Sequence, residues 1–174
     1  MQRVLLLLGL TGCAGNAQPF VPDAELTVAA IALSDELRTF PHPDIVSVAR
    51  LMTWQERPTP AASDQWVAGI DPFGSSPSRQ RLLPLARQFW EANASPRHVS
   101  AFDVPGQGRL VTREKPGTGV HYTVSRVALS AGGDTAMVGL ESVCPGMCGD
   151  WMLWLYVRSE AGWHREENLQ VHYH

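Results

Sequence analysis

The run from Trp151 to Arg158, WMLWLYVR, decides the fold. Side chains alternate along a strand. One face therefore carries Trp151, Leu153, Leu155 and Val157, and the other Met152, Trp154 and Tyr156. A strand that is apolar on both faces is a central strand of its sheet. Turn signals bracket it: CPGMCGD at 144–150 before it and SEAG at 159–162 after it. Beyond those turns lie three more runs rich in β-branched and aromatic residues, YTVSRVALS (122–130), TAMVGLES (135–142) and WHREENLQVHYH (163–174), with AGGD at 131–134 between the first two. Connections this short join antiparallel neighbours. The expected fold is α+β, an antiparallel β-meander of about four or five strands packed with two helices that cover one side.

The two helices come from the N-terminal half. In DAELTVAAIALSDELRTF, Asp23 suits an N-cap, and Leu26, Ala29, Ala30, Leu33 and Leu37 recur at helical spacing, which predicts a helix over Ala24 to Thr39. PHPD at 41–44 ends it. IVSVARLMTW, 45–54, reads as a strand through Ile45, Val46 and Val48. Residues 56–80, with Pro58, Pro60, Pro72 and Pro77, form a long irregular segment of the kind that carries function or moves. Leu85, Ala86 and Phe89 predict a second helix over Pro84 to Asn93, with Pro84 in its first turn. No internal repeat is visible.

The chain has 174 residues, 44% of them apolar and 18% charged, which suits one domain able to bury a core. Its net charge of −3 provides no basic field for a phosphate backbone, so nucleic acid is not an expected partner. The first residues, MQRVLLLLGLTGCAG, place Arg3 before an apolar stretch from Val4 to Leu10 and small residues at Thr11 and Gly12. This is the layout of a secretory signal, too short to span a bilayer. Leu10-Thr11-Gly12-Cys13 resembles the lipobox of bacterial lipoproteins. The resemblance implies that residues 1–12 are removed as a signal peptide and that Cys13 is lipidated as the new first residue. On this reading residues 13–22 are a lipidated tether and 23–174 a single α+β domain, with the membrane as partner through the lipid. Ala14, where an Asp would retain such a protein at the inner membrane, implies an outer-membrane location facing the periplasm. A plain signal peptide cut after Ala17 is the alternative.

The second half, through Asn93, Ser125-Arg126-Val127, Ala136-Met137-Val138, Cys144 to Gly149 and Gly162-Trp163, is similar to a group of uncharacterised exported bacterial proteins. That similarity implies an α+β fold and an exported location, and no activity. The closing hairpin LYVRSEAGWHREENLQVHY also resembles the end of NTF2-like domains. This implies, as an alternative architecture, a cone of curved sheet around a pocket.

With Cys13 taken by lipid, Cys144 and Cys148 are left for each other. In an oxidising compartment such a pair becomes a disulfide. Closing so short a loop is worth roughly 2 kcal/mol on the chain-entropy account. Zinc needs about four ligands, and a redox motif has two intervening residues rather than three, so metal and redox roles are the weaker readings. His172 and His174 share a strand face, with His164 nearby, and read as a solvated chain end rather than a metal site. His121 is a lone acid–base candidate, and a structural histidine is the plainer reading. GSSPS at 74–78 lacks the flanks of a nucleophile elbow, and GQG at 106–108 is a turn, not a phosphate cradle. SDE at 34–36 and REE at 165–167 read as solvated charges. The six tryptophans read mostly as core, with Trp54 and Trp66 as candidates to line a ligand or partner site. No catalytic residue, metal ligand or cofactor is assigned. The expected function is that of a non-enzymatic binding or interaction module anchored in the cell envelope, with an envelope protein as one candidate partner. The alternatives are an NTF2-like pocket protein with a small-ligand or enzymatic role, and a structural envelope component or inhibitor.

Overall fold

A computed structural model describes residues 23–39, 46–52, 78–115, 119–144 and 149–173. The chain enters through helix α1, Ala24–Thr39, with the predicted bounds. Asp23 caps it as expected: its Oδ1 accepts the backbone N–H groups of Glu25 at 3.1 Å and Leu26 at 3.3 Å. The expected strand over 45–54 is two short strands, β1 (Val46–Ala49) and β2 (Leu51–Met52). The break falls at Arg50, whose N–H donates to the Arg113 carbonyl while its own carbonyl accepts the Val99 N–H. One residue thus hands the chain from one sheet to another. The second helix, α2, runs Ser78–Asn93, six residues longer at its start than predicted. Pro84 therefore sits inside the helix rather than in its first turn, on the exposed side.

The rest of the described chain is sheet: β3 (Arg97–His98), β4 (Ala101–Val104), β5 (Gly108–Arg113), β6 (Val120–Val124), β7 (Ala128–Leu129), β8 (Thr135–Val143), β9 (Gly149–Ser159) and β10 (Gly162–Tyr173). Seven strands follow one another in the order β10-β9-β8-β6-β1-β5-β4, and β7 pairs with β8 beside this path. The sheet curls into a half-barrel. β2 and β3 form a separate two-stranded ribbon. The α+β class stands, but the strand count is higher than expected and the meander is incomplete. β8, β9 and β10 are joined by hairpins as predicted, yet β1 is inserted parallel to both β5 and β6, so the sheet is mixed.

The helices lie on opposite faces, which corrects the expectation that both cover one side. Against α1 pack Tyr122, Val124, Ala136, Val138, Leu140, Met152, Trp154 and Tyr156. On the other face Met137, Leu153 and Leu155 pack with Leu82, Leu85, Ala86 and Phe89 of α2. The two sets alternate along β8 and β9, and this is why WMLWLYVR is apolar on both sides. Two register shifts in β10, between Arg165 and Glu167 and between Asn168 and Gln170, add local twist where the sheet curls.

Residues 125–127, between β6 and β7, are held by side chains in place of a regular ladder. Ser125 Oγ accepts the Gly139 N–H at 2.7 Å and donates to the Arg126 carbonyl at 2.8 Å. Asn93, 2% exposed at the end of α2, donates from Nδ2 to the carbonyls of Phe89 and Arg126 and accepts the Arg126 N–H at 2.8 Å. Glu25 at the start of α1 accepts from the guanidinium of Arg126 and from Arg97, and Asp23 accepts a second bond from Arg97. That guanidinium holds the Asp23 carboxyl below the usual carboxylate range. This network ties the start of α1, the end of α2 and the β6–β7 link together. Asn93 and Ser125-Arg126-Val127 are the residues that stood out in the sequence, and their role here is structural. No described helix is long and apolar enough to cross a membrane.

Candidate functional site

α1 fills the trough of the half-barrel, and its small residues Ala29, Ala30 and Ala32, all buried, allow close approach to the sheet. The trough is not closed over. Between the β4–β5 turn on one side and β10 on the other, part of α1 faces an open groove of about 820 Å3. Its floor is Ile31, Ser34, Asp35, Arg38 and Thr39; its walls are Pro105 and Gly106 opposite Trp163, His164 and Arg165. A smaller hollow of about 330 Å3 continues along α1 past Ile31 and Pro105 to Asp23, Leu26 and Phe102. The positive φ of Gly106, 76°, lets the turn form this wall. Ser34 Oγ ties the helix to it by donating to the Pro105 carbonyl at 2.9 Å.

The groove floor is electrostatically ordered. Asp35 is paired with Arg38 one turn on, and its Oδ2 accepts the Tyr156 hydroxyl at 2.8 Å. Burial first, and then this hydrogen bond, push the Tyr156 phenol far above the usual tyrosine range. Arg165 stands opposite Tyr156 in the β9–β10 register, on the α1 side of the sheet, with its guanidinium carbon 4.9 Å from the centre of the Trp154 ring.

Beneath the floor lies Glu36, only 4% exposed. It falls three residues after Leu33 and seven after Ala29, on the stripe that faces the sheet. Burial raises its carboxyl from 4.5 to about 7; nearby Asp150 pushes the same way, and Arg165 opposes. Burial, with Glu36 and Asp150 adding to it, likewise raises the Tyr122 phenol. Helix α1 and strands β6, β9 and β10 thus bring together two acids, Glu36 and Asp150, with Tyr122 and Arg165. The reading of 34–36 as solvated charges holds for neither acid: Asp35 is hydrogen-bonded to Tyr156 and Glu36 is buried. The signal was present in the spacing, since Glu36 continues the Ala29–Leu33 stripe. Arg165 and Glu166 are exposed, as read.

Of the residues singled out in the sequence, Cys13, Cys148, Trp54, Trp66 and His174 lie outside the described residues, as do residues 74–77 of the serine loop. Cys144 directly follows β8 and is half-buried. β8 and β9 bring Val143 and Gly149, which flank the segment holding both cysteines, opposite one another. His121 is buried on β6 and pairs through Nδ1 with Ser47 Oγ at 2.8 Å; burial lowers its pKa. It is a satisfied structural histidine, far in sequence from the serine it meets. His164 is exposed at the groove wall, and His172 pairs with Trp151 in the strand register. Among the described residues no group of three His, Cys, Asp or Glu is arranged to hold a metal. No protein family, curated protein or solved structure matches the chain.

Proposed function

We propose that the chain is a cell-envelope protein anchored by lipid at Cys13, and that its folded part is a non-enzymatic binding module whose site is the groove along α1. The observation that carries this reading is the open seam of the half-barrel. A helix otherwise sunk in its own core presents a charged, hydrogen-bonded floor between two sheet walls. Clefts of this size, about 300–1,000 Å3, are where proteins bind small ligands or partner segments. The tether at 13–22 would hold the domain at the outer membrane, facing the periplasm, with the membrane and an envelope partner as its contacts. A disulfide between Cys144 and Cys148 is part of the proposal and would pin the β8–β9 connection.

The test is photo-cross-linking in cells, with a photoreactive residue in place of Arg38 in the groove or in place of Glu91, exposed on α2 across the sheet. Adducts from position 38 that are absent from position 91 and are lost when Trp163 is replaced support the reading. No adduct at 38, or equal adducts from both, contradicts it.

A second reading draws on the buried cluster. A curled sheet whose α1-covered face brings Tyr122 and Asp150 around the buried Glu36 of α1 supports an NTF2-like cone with a pocket and an acid of raised pKa. On that reading Glu36→Gln abolishes a turnover that the binding-module reading does not predict. The third role, an envelope structural component or inhibitor, would use the same groove against a protein.

A further inference from the structure

Resting on the reading of the groove as the binding site, we propose that it takes a small molecule bearing a carboxylate or phosphate on a flat apolar body. Arg165 holds the anion, Trp163 supplies the flat wall, and protonation of Glu36 tightens binding.

The charges on the groove floor point to Arg165. Arg38 is spent on Asp35, which also accepts the Tyr156 hydroxyl. Ser34 already donates to Pro105. Arg165 lines the groove, is exposed, and is joined by no ion pair to a carboxylate of a described residue. Its stacking on Trp154 restrains the guanidinium, so a planar fork of donors is presented with less ordering left to do. Such a fork matches the two oxygens of a carboxylate or phosphate. Ile31 and Trp163 offer apolar surface beside it.

The link to Glu36 follows from which groups face it. From β10 comes Arg165, from β9 Asp150, from β6 Tyr122, and on α1 itself Asp35 and Arg38 are neighbours. Asp35 and Arg38 neutralise one another, and the Tyr122 phenol is held in its neutral form. With Glu36 protonated, the attraction of Arg165 is left for a ligand. With Glu36 ionised, its negative charge competes for Arg165 and repels the incoming anion. Binding an anion and binding a proton at Glu36 therefore favour one another.

The test is calorimetric titration of the detergent-solubilised full chain with 2-naphthoate, 2-naphthyl phosphate and the neutral 2-naphthylmethanol, on both sides of the Glu36 titration, at about pH 6 and about pH 8. The expectation is that at least one anion binds at about pH 6 and weakens severalfold at about pH 8, with the alcohol at least about tenfold weaker than that anion. Arg165→Gln, checked as folded by circular dichroism, should lose about tenfold for the anion and little for the alcohol. Glu36→Gln should lose most of the pH dependence for 2-naphthoate, whose carboxylate is ionised at both pH values, and what the exposed His164 at the groove wall adds remains in both proteins. If Arg165→Gln does not fold, Arg165→Lys replaces it: a point charge retains the pH effect while losing fork geometry, so affinity should fall by a smaller factor. Equal binding of alcohol and anions would overturn the anion assignment while leaving the groove a binding site. No binding of any of the three, or anion binding unchanged in the arginine variants, would overturn it as well. The cross-linking above tests the groove independently of ligand charge.

Discussion

Trp154→Ala is expected to destabilise the fold by about 3–5 kcal/mol. Trp154 is 1% exposed and heads the fully buried side chains by volume. It sits mid-strand in β9, paired with Val138 on one side and Asn168 on the other, in the core shared with α1. Its ring meets Tyr156 edge-on with centroids 6.4 Å apart. Alanine removes the ring, leaves a cavity that the curled sheet cannot collapse around, and frees the Arg165 guanidinium from its stacking partner. Chemical denaturation should show the midpoint falling with little change in slope. Trp154→Phe keeps an aromatic face and should lose substantially less. A loss below about 1 kcal/mol for the alanine variant would place the ring outside the core and contradict the packing described.

Glu36→Gln is expected to remove a fall in stability that the native protein shows as pH rises. The folded-state pKa of Glu36, about 7, lies above its ordinary 4.5. Between those values the folded chain holds a proton that the unfolded chain has released. The contribution of Glu36 to stability is therefore largest below about 4.5, declines across the interval, and is lost above about 7, a change of about 3 kcal/mol in all. His121 works the other way. Burial lowers its pKa below 6.5, so its contribution is lost as pH falls through that region. The native curve sums both groups, and subtracting the Glu36→Gln curve isolates the glutamate. Thermal unfolding followed from about pH 4 to about pH 8.5 should show the variant gaining on the native protein as pH rises. Parallel curves would mean that Glu36 is ionised and satisfied in the folded state.

Local rules explain why α1 and the β8–β10 hairpins were legible in the sequence. The Ala24–Thr39 bounds follow from an Asp cap and an apolar stripe, and the strands follow from turn residues at 131–134 and 159–162. The hairpin of β4 and β5 was missed because its burial pattern is one-sided and weak. Along Gly108–Arg113 only Thr112 is buried, and Val111 is 68% exposed. GQG at 106–108 was correctly a turn, with both glycines at positive φ, but the short runs beside it gave no strong alternation. The parallel seating of β1 between β5 and β6 is set by contacts across more than sixty residues, through pairs such as Val48 with Thr112 and Val46 with Val120. No local pattern encodes it. Of the groove, the charged residues of α1 and β10 were visible as charges. That Glu36 turns inward was implicit in the helix stripe; that Arg165 arrives above it depends on the β9–β10 register.

The measurement that bears most directly on the proposed anchored module is the intact mass of the protein taken from the membranes of its native host, with thiols alkylated before and after reduction. The account predicts a chain beginning at Cys13 and carrying acyl groups, in which Cys144 and Cys148 alkylate only after reduction. A chain without lipid, or one whose two thiols alkylate at once, would contradict it.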